Sequence, residues 1–301
     1  METNKCILCP RRCGIDRNVK TGICGVGWLP KVARAALHEW EEPCISGTNG
    51  SGAIFFSGCS LKCVYCQNKA ISDGKSGVEI LVEQLAEIML KLQDEHAHNI
   101  NLVTPTHYID AIIPAIKQAK KTGLHIPIVY NTSGYEEAEA VRSLEGCIDV
   151  WMPDLKYIDS EEALRYSKAP DYFAVAEKAI AEMFRQSGKF VFDEKGMLIK
   201  GVLVRHLVLP GQVKTAKRIL QYLYETYQDK IYVSIMNQYT PLLTEENASL
   251  YPELLRKVTK REYESVIDYA ISIGMEHAFI QEGEAAKESF IPEFDGTGVG
   301  K

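Results

Sequence analysis

The 301 residues are 46% hydrophobic and 25% charged, ordinary globular proportions that exclude a disordered, collagenous or low-complexity chain. A formal charge of −6 supplies no global basic field, so no nucleic-acid partner is expected. The first residues lack the apolar core of a signal peptide and no stretch reaches the length of a membrane span, so a cytoplasmic protein without membrane attachment is expected. Nine cysteines in a reducing compartment point to metal or redox chemistry rather than to disulfides.

Residues 1–50 are rich in Cys, Gly, Pro and Arg and lack sustained periodicity. They read as a small metal-binding module, with a Gly-, Ser- and Pro-rich linker from Glu41 to Gly52. Cys6, Cys9, Cys13 and Cys24, spaced C-x2-C-x3-C-x10-C, offer four thiolates among Pro10, Gly14, Gly22 and Gly25. Such a set fits zinc, a single iron or a second iron–sulfur cluster, and spacing does not separate these. His38 and Cys44 are spare ligands.

From Ala53 the pattern changes to short apolar runs alternating with amphipathic stretches, and residues 51–301 read as one domain. Strands are expected at Ala53–Ser57, Ile100–Thr104, Ile126–Tyr130, Ile148–Met152, Gly201–Leu209, Ile231–Ile235 and Ala278–Ile280. Helices are expected around Leu81–Leu92, over Asp110–Lys121 with a stop at Gly123, over 135–144, around Val213–Leu223 and over Val258–Ile273. Repeated strand–helix units imply parallel strands with right-handed crossovers. The fold class is therefore α/β, a full or partial parallel (β/α)6–8 barrel with a small N-terminal Cys-rich module. Chemistry in such barrels sits at the C-terminal ends of the strands. Polar motifs follow the expected strands there: Gly58–Asn68, Thr104–His107, Asn131–Gly134, Asp154–Lys156 and Asn237–Tyr239.

The first of these contains Cys59, Cys63 and Cys66 in the spacing C-x3-C-x2-C. Three thiolates on one short loop bind three irons of a cubane and leave the fourth open to a chelating substrate. Arg205 and His206 are adjacent within an apolar strand, so alternation sends them to opposite faces. Arg205 is expected inward, where a guanidinium clamps a carboxylate. Cys147, alone before a buried run, reads as a core thiol. The tail, residues 290–301, carries aromatics among glycines and is a candidate to cover the barrel or to touch a partner.

The three-cysteine loop, with Tyr65 before its last cysteine, resembles the radical S-adenosylmethionine (SAM) superfamily. A closer resemblance is to glycyl-radical-enzyme activases of the pyruvate formate-lyase activating type. It is carried in order by Cys63-Val64-Tyr65-Cys66-Gln67-Asn68, Asn131-Thr132-Ser133-Gly134, Val150-Trp151-Met152-Pro153-Asp154-Leu155-Lys156, and Arg205 ahead of Val208-Leu209-Pro210-Gly211. The resemblance implies a [4Fe-4S] cluster on Cys59, Cys63 and Cys66, SAM as cosubstrate, and a low-potential electron donor of flavodoxin or ferredoxin type. It also implies hydrogen abstraction from a protein or peptide, such as a glycine α-carbon of a partner enzyme. The site it implies places Tyr65, Asn68, Thr106, Asn131, Thr132 and Asp154 at the cofactor and Lys156 and Arg205 at the reacting centre. Asp154 matches a residue that helps bind a monovalent cation. Two positions depart from the family: Asn131 stands where Asp is frequent, and Thr104–His107 replaces a Gly-Gly-Glu whose role at the SAM amino group falls to Thr106, with His107 a second local candidate. Alternatives are a radical SAM reaction on a small molecule or unrelated peptide, and a metal-organised binding or redox protein that does not cleave SAM.

Overall fold

The computed structural model describes residues 5–243, 248–281 and 291–300. Its centre is a run of seven parallel strands that neighbour one another in chain order: β2 (Ser51–Phe56), β4 (Ile100–Val103), β5 (Ile128–Thr132), β6 (Val150–Pro153), β8 (Leu198–Leu207), β9 (Tyr232–Met236) and β10 (Ala278–Ile280). Beyond β2 the sheet continues antiparallel through β1 (Lys31–His38) to β3 (Val78–Glu79), while β7 (Val191–Phe192) pairs antiparallel with β8. Among the described residues β3 and β10 do not pair, so the sheet is an open, partial barrel rather than a closed one.

Sequential order follows from the crossovers. Each parallel strand must be reached by a helix that packs back on the sheet. Here α3 (Val82–Asp94), α4 (Ile109–Thr122), α5 (Ala138–Ser143), α6 (Ser160–Ser167), α7 (Tyr172–Ser187), α8 (Val213–Tyr227) and α9 (Lys260–Ser272) do so, after two single-turn helices, α1 (Pro43–Ser46) and α2 (Lys69–Ser72). In α3 the buried stripe is Leu85, Ile88, Met89 and Leu92, in α8 Ala216, Ile219, Leu220 and Leu223. α4 ends at Gly123 in a left-handed conformation, the stop read from the sequence. β2 is buried along its whole length, as a strand covered on both faces must be.

Several elements differ from the sequence reading. Residues 31–38, inside the stretch read as module and linker, form β1 and pair with β2 over Val32–His38. The helix expected over 135–144 is confined to α5, because Gly134 takes a left-handed φ of +77° and Glu136 N–H closes a turn on Gly134 C=O at 3.0 Å. α6 and α7 were not foreseen. The buried stripe of α7 is built on Ala176, Ala179, Ile180 and Met183, and small residues weaken the periodic signal.

Residues 5–30 hold no helix or strand and are organised by turns, Cys6 N–H to Ile15 C=O at 2.8 Å and Gly14 N–H to Cys6 C=O at 3.0 Å. Residues 291–300 lie along β1: Ala35 N–H donates to Thr297 C=O at 2.8 Å and Gly296 N–H to Ala33 C=O at 3.0 Å. Phe294 meets Phe55 edge-on, and Arg34 reaches Asp295 at 3.2 Å. No helix among the described residues is long and apolar enough to cross a membrane.

Candidate active site

A cavity of about 210 Å³ opens at the C-terminal ends of the parallel strands. Cys59, Cys63, Cys66, Tyr65 and Asn68 line it from the loop after β2, Asn131 and Thr132 from β5, Asp154 and Lys156 from beyond β6, and Arg205 from β8.

Arg205 is the hub of a buried ion network. Its Nε donates to Asp154 Oδ1 at 3.0 Å, its Nη1 to Glu41 Oε2 at 3.1 Å and its Nη2 to Asn131 Oδ1 at 2.6 Å. The Lys156 ammonium donates to Asp154 Oδ2 at 2.6 Å. Glu41 Oε1 accepts from Asn101 at 3.0 Å and from Asn131 at 3.3 Å. Charges this far from water persist only when paired. Burial pushes the Asp154 carboxyl up, but Lys156 and Arg205 outweigh it and hold the group below its ordinary range. At Glu41 burial wins over Arg205 and the carboxyl is raised. Both oxygens of Asp154 are thus paired with cationic side chains.

Burial pushes up the thiols of Cys59 and Cys66, the latter to about 12, and the neighbouring sulfurs push in the same direction. Three sulfurs near enough to repel one another as thiolates need a bound cation to ionise together, and soft thiolates favour an iron–sulfur centre. Among the described residues no three or more His, Cys, Asp or Glu side chains converge on a single-ion position. Three thiols on one short loop fit a cubane whose fourth iron has no protein ligand. The loop itself is shaped by its backbone: Cys66 N–H donates to Cys63 C=O at 3.2 Å and Leu61 N–H to Cys59 Sγ at 3.4 Å. Tyr65 points its ring into a group of tyrosines and shares a 2.7 Å hydrogen bond with the Tyr157 hydroxyl.

Other expected residues lie elsewhere. Thr106, expected at the SAM amino group, is buried off the cavity because its hydroxyl is drawn to Glu136 Oε1 at 2.5 Å. Thr132 donates to the same oxygen. His107 is buried with Nε2 2.8 Å from Ser57 C=O, and His206 with Nδ1 2.8 Å from Leu155 C=O; burial lowers them to about 3 and about 4. Both are core histidines held neutral. Gln238 lines the cavity, whereas Tyr239 is buried and donates to Leu254 C=O at 2.6 Å. Cys44 and Cys147 are buried in apolar clusters, and His38 lines the cavity. Residues 291–300 of the expected covering tail bring Ile291 and Pro292 to the cavity wall; Phe290 and Lys301 lie outside the described residues.

Sequence reasoning missed Glu41, Trp40, Gln67 and Glu136. Glu41 and Trp40 fell in or beside the stretch read as linker. A paired Glu41-Glu42 ahead of Pro43 gives no local sign that one carboxylate will face an arginine across the barrel.

A sequence profile described as the radical SAM superfamily matches residues 53–223, more than half of the chain. The chain belongs to the radical SAM superfamily, which implies an enzyme with a [4Fe-4S] cluster and SAM. It is 28% identical over 275 residues to an uncharacterized protein of Methanocaldococcus jannaschii, covering 88% of this chain and 74% of that one. Over 126 residues it is 26% identical to the pyruvate formate-lyase-activating enzyme of Clostridium pasteurianum, 39% of this chain and 50% of that one. Among solved structures, Streptococcus suis SuiB bound to its precursor peptide SuiA matches 75% of this chain at TM-score 0.49 and 15% identity. The chain spans about half the length of SuiB, 47%.

Proposed function

We propose that Cys59, Cys63 and Cys66 carry the [4Fe-4S] cluster, and that the enzyme abstracts hydrogen from a protein or peptide, as in activation of a glycyl radical enzyme. The observation that carries this reading is the convergence of three loop thiols and the Asp154–Lys156–Arg205–Glu41 network on one cavity at the strand ends. The bound cluster would supply the electron that cleaves SAM reductively to a 5′-deoxyadenosyl radical.

The chain's own residues bind and orient. An amino-carboxylate entering the cavity meets Lys156 and Arg205 as partners for its carboxylate and Asp154 as a partner for its ammonium. Because these groups already neutralise one another, their geometry is set before the ligand arrives, and little ordering remains to be done on binding. Leu61, Tyr65, Val103 and Leu207 give the same cavity apolar walls that limit water near a reactive radical. The protein or peptide substrate is supported by the partial match to the pyruvate formate-lyase-activating enzyme.

The test uses anaerobically reconstituted protein with dithionite and SAM. The wild type should release 5′-deoxyadenosine, and Cys63→Ala should release none while remaining folded by circular dichroism. Undiminished release from Cys63→Ala would overturn the cysteine assignment. With a glycyl radical enzyme as substrate, a doublet in its electron paramagnetic resonance spectrum is expected; its absence alongside 5′-deoxyadenosine formation would redirect the substrate to another peptide or a small molecule.

A further inference from the structure

Outside the cavity, Cys6, Cys9, Cys13 and Cys24 are free thiols, Cys9 and Cys24 buried and the other two half-buried. Inside it, one part of the wall has no role in the site described so far. The carboxylates of the cavity, Glu41 and Asp154, and its cations, Lys156 and Arg205, bond one another. The wall supplied by Gln67, beyond the cysteine loop, and by Met236, Gln238 and Thr240, at and after the end of β9, is uncharged. A charged group brought against it would lose water and meet no counter-ion there, so this side favours a neutral ligand.

The two glutamines are held in definite orientations. Gln67 Nε2 donates to the main-chain carbonyl of Gln238 at 2.6 Å, which ties the cysteine loop to the end of β9. Gln281, just beyond β10, donates from Nε2 to Gln238 Oε1 at 3.1 Å. Gln281 is itself fixed: its Oε1 accepts from Asn237 N–H at 2.8 Å, and its N–H donates to the Tyr263 hydroxyl at 2.9 Å. Each carboxamide therefore has one end secured by the protein and the other left over. Gln67 keeps its Oε1, an acceptor with no hydrogen bond among the described residues. Gln238 keeps its Nε2, whose contact there is the Met236 thioether at 3.6 Å, a weak acceptor. Both residues line the cavity, so this remaining capacity is offered to its contents. One acceptor beside one donor, with no charge, is the complement of a peptide group, which presents an N–H and a C=O.

We infer that Gln67 and Gln238 clamp a main-chain peptide group of the substrate, Gln67 Oε1 accepting its N–H and Gln238 Nε2 donating to its C=O. The inference rests on the function proposed above and deepens it: the substrate is an uncharged peptide segment, read at this point by its backbone. Gln67 directly follows Cys66, so the clamped segment lies next to the loop assigned to the cluster.

Binding is read on the cluster-loaded, unreduced enzyme with SAM, which has no electron to cleave it. A pool of short blocked peptides, uncharged residues around a central glycine, is passed over this enzyme. The best-retained member is then titrated by fluorescence anisotropy, together with analogues in which each N–H in turn is replaced by an ester oxygen. One analogue should bind about tenfold more weakly than the parent, because it loses a donor and sets an ester oxygen against Gln67 Oε1. In Gln67→Met that preference should shrink to within about twofold, a change of ratio that a general disturbance of the loop would not produce. Gln238→Met should weaken parent and analogue alike by about tenfold. Retention of no peptide, equal binding of every ester analogue, a preference that persists in Gln67→Met, or undiminished affinity in Gln238→Met would each overturn the clamp. Equal binding of the esters would also show that a side-chain amide, rather than the backbone, is what the cavity holds. SAM cleavage is scored separately on reduced enzyme: its absence with the preference intact would sink the proposed function and leave the clamp standing, whereas 5′-deoxyadenosine formed without any such preference would sink the clamp alone.

Discussion

Glu136 does not line the cavity, yet it holds a residue that does. One oxygen accepts from Thr132 and Thr106, while the other is buried beside the Tyr130 hydroxyl without a well-formed hydrogen bond. Burial outweighs the threonine hydrogen bonds and lifts the carboxyl from the ordinary 4.5 to about 7. Between those values the folded protein keeps a proton that the unfolded chain has released. This group's contribution to stability therefore falls as pH rises from about 4.5 to about 7 and is level above that, a swing on the order of 3 kcal/mol. Glu136→Gln removes the titration and keeps an acceptor for both threonines. Denaturant unfolding should show the variant gaining on the wild type from pH 5 to pH 8 by a few kcal/mol, on the order of that swing. An equal difference at both pH values would show that Glu136 stays ionised throughout. The loop cysteines, Asp154, Lys156 and Arg205 were legible because each follows or interrupts a strand in a recognisable pattern. Glu41 and Glu136 were not. A carboxylate's burial is decided by partners remote in sequence, such as Arg205, 164 positions from Glu41.

At the scale of elements, the site depends on how closely the ends of β5 and β6 approach. Gly134 has φ +77°, and a Cβ there would run into the Asp154 carbonyl oxygen. Gly146 has nearly the same φ, +78°, with nothing within 4 Å. Both Gly→Ala changes carry a left-handed penalty of about 1 kcal/mol. Gly134→Ala should cost at least about 2 kcal/mol more than Gly146→Ala. It should also slow 5′-deoxyadenosine formation, because Asp154 cannot keep its place between Lys156 and Arg205. Thermal melts and turnover of the two variants check this; equal losses would mean that the strand ends yield at no cost. The strand series from β2 to β10 was readable from short apolar runs separated by helical periodicity. β1 escaped because its sequence, KVARAALH, lacks a run of β-branched residues and becomes a strand by pairing with β2.

For the whole molecule, the question is whether the N-terminal fifty residues are an appendage. The main core includes Cys24, Val26, Val32 and Ala35 alongside Ile54 and Phe56. Arg17 is buried with its guanidinium on the carbonyls of His107 and Gly27. Deleting residues 1–38 would strip one edge from β2, expose that apolar cluster and leave an unpaired strand edge. The truncated chain should aggregate and lose its cooperative melt, as read by size-exclusion chromatography and circular dichroism. A monomeric, cooperatively folded product would show instead that the module is separable. An open sheet could not be told from a closed one in the sequence, since apolar runs record that strands exist and not whether the first meets the last.

Residues 291–300 lie on β1 and complete the cavity wall with Ile291 and Pro292, although Arg34 and Glu293 are 259 positions apart. The order of biosynthesis then matters. A nascent chain leaves the ribosome with Cys59, Cys63 and Cys66 made early and their enclosure made late. Until Ile291 and Pro292 are made, the cavity stands without that part of its wall, so the loop is open to solvent on that side for most of the chain's synthesis.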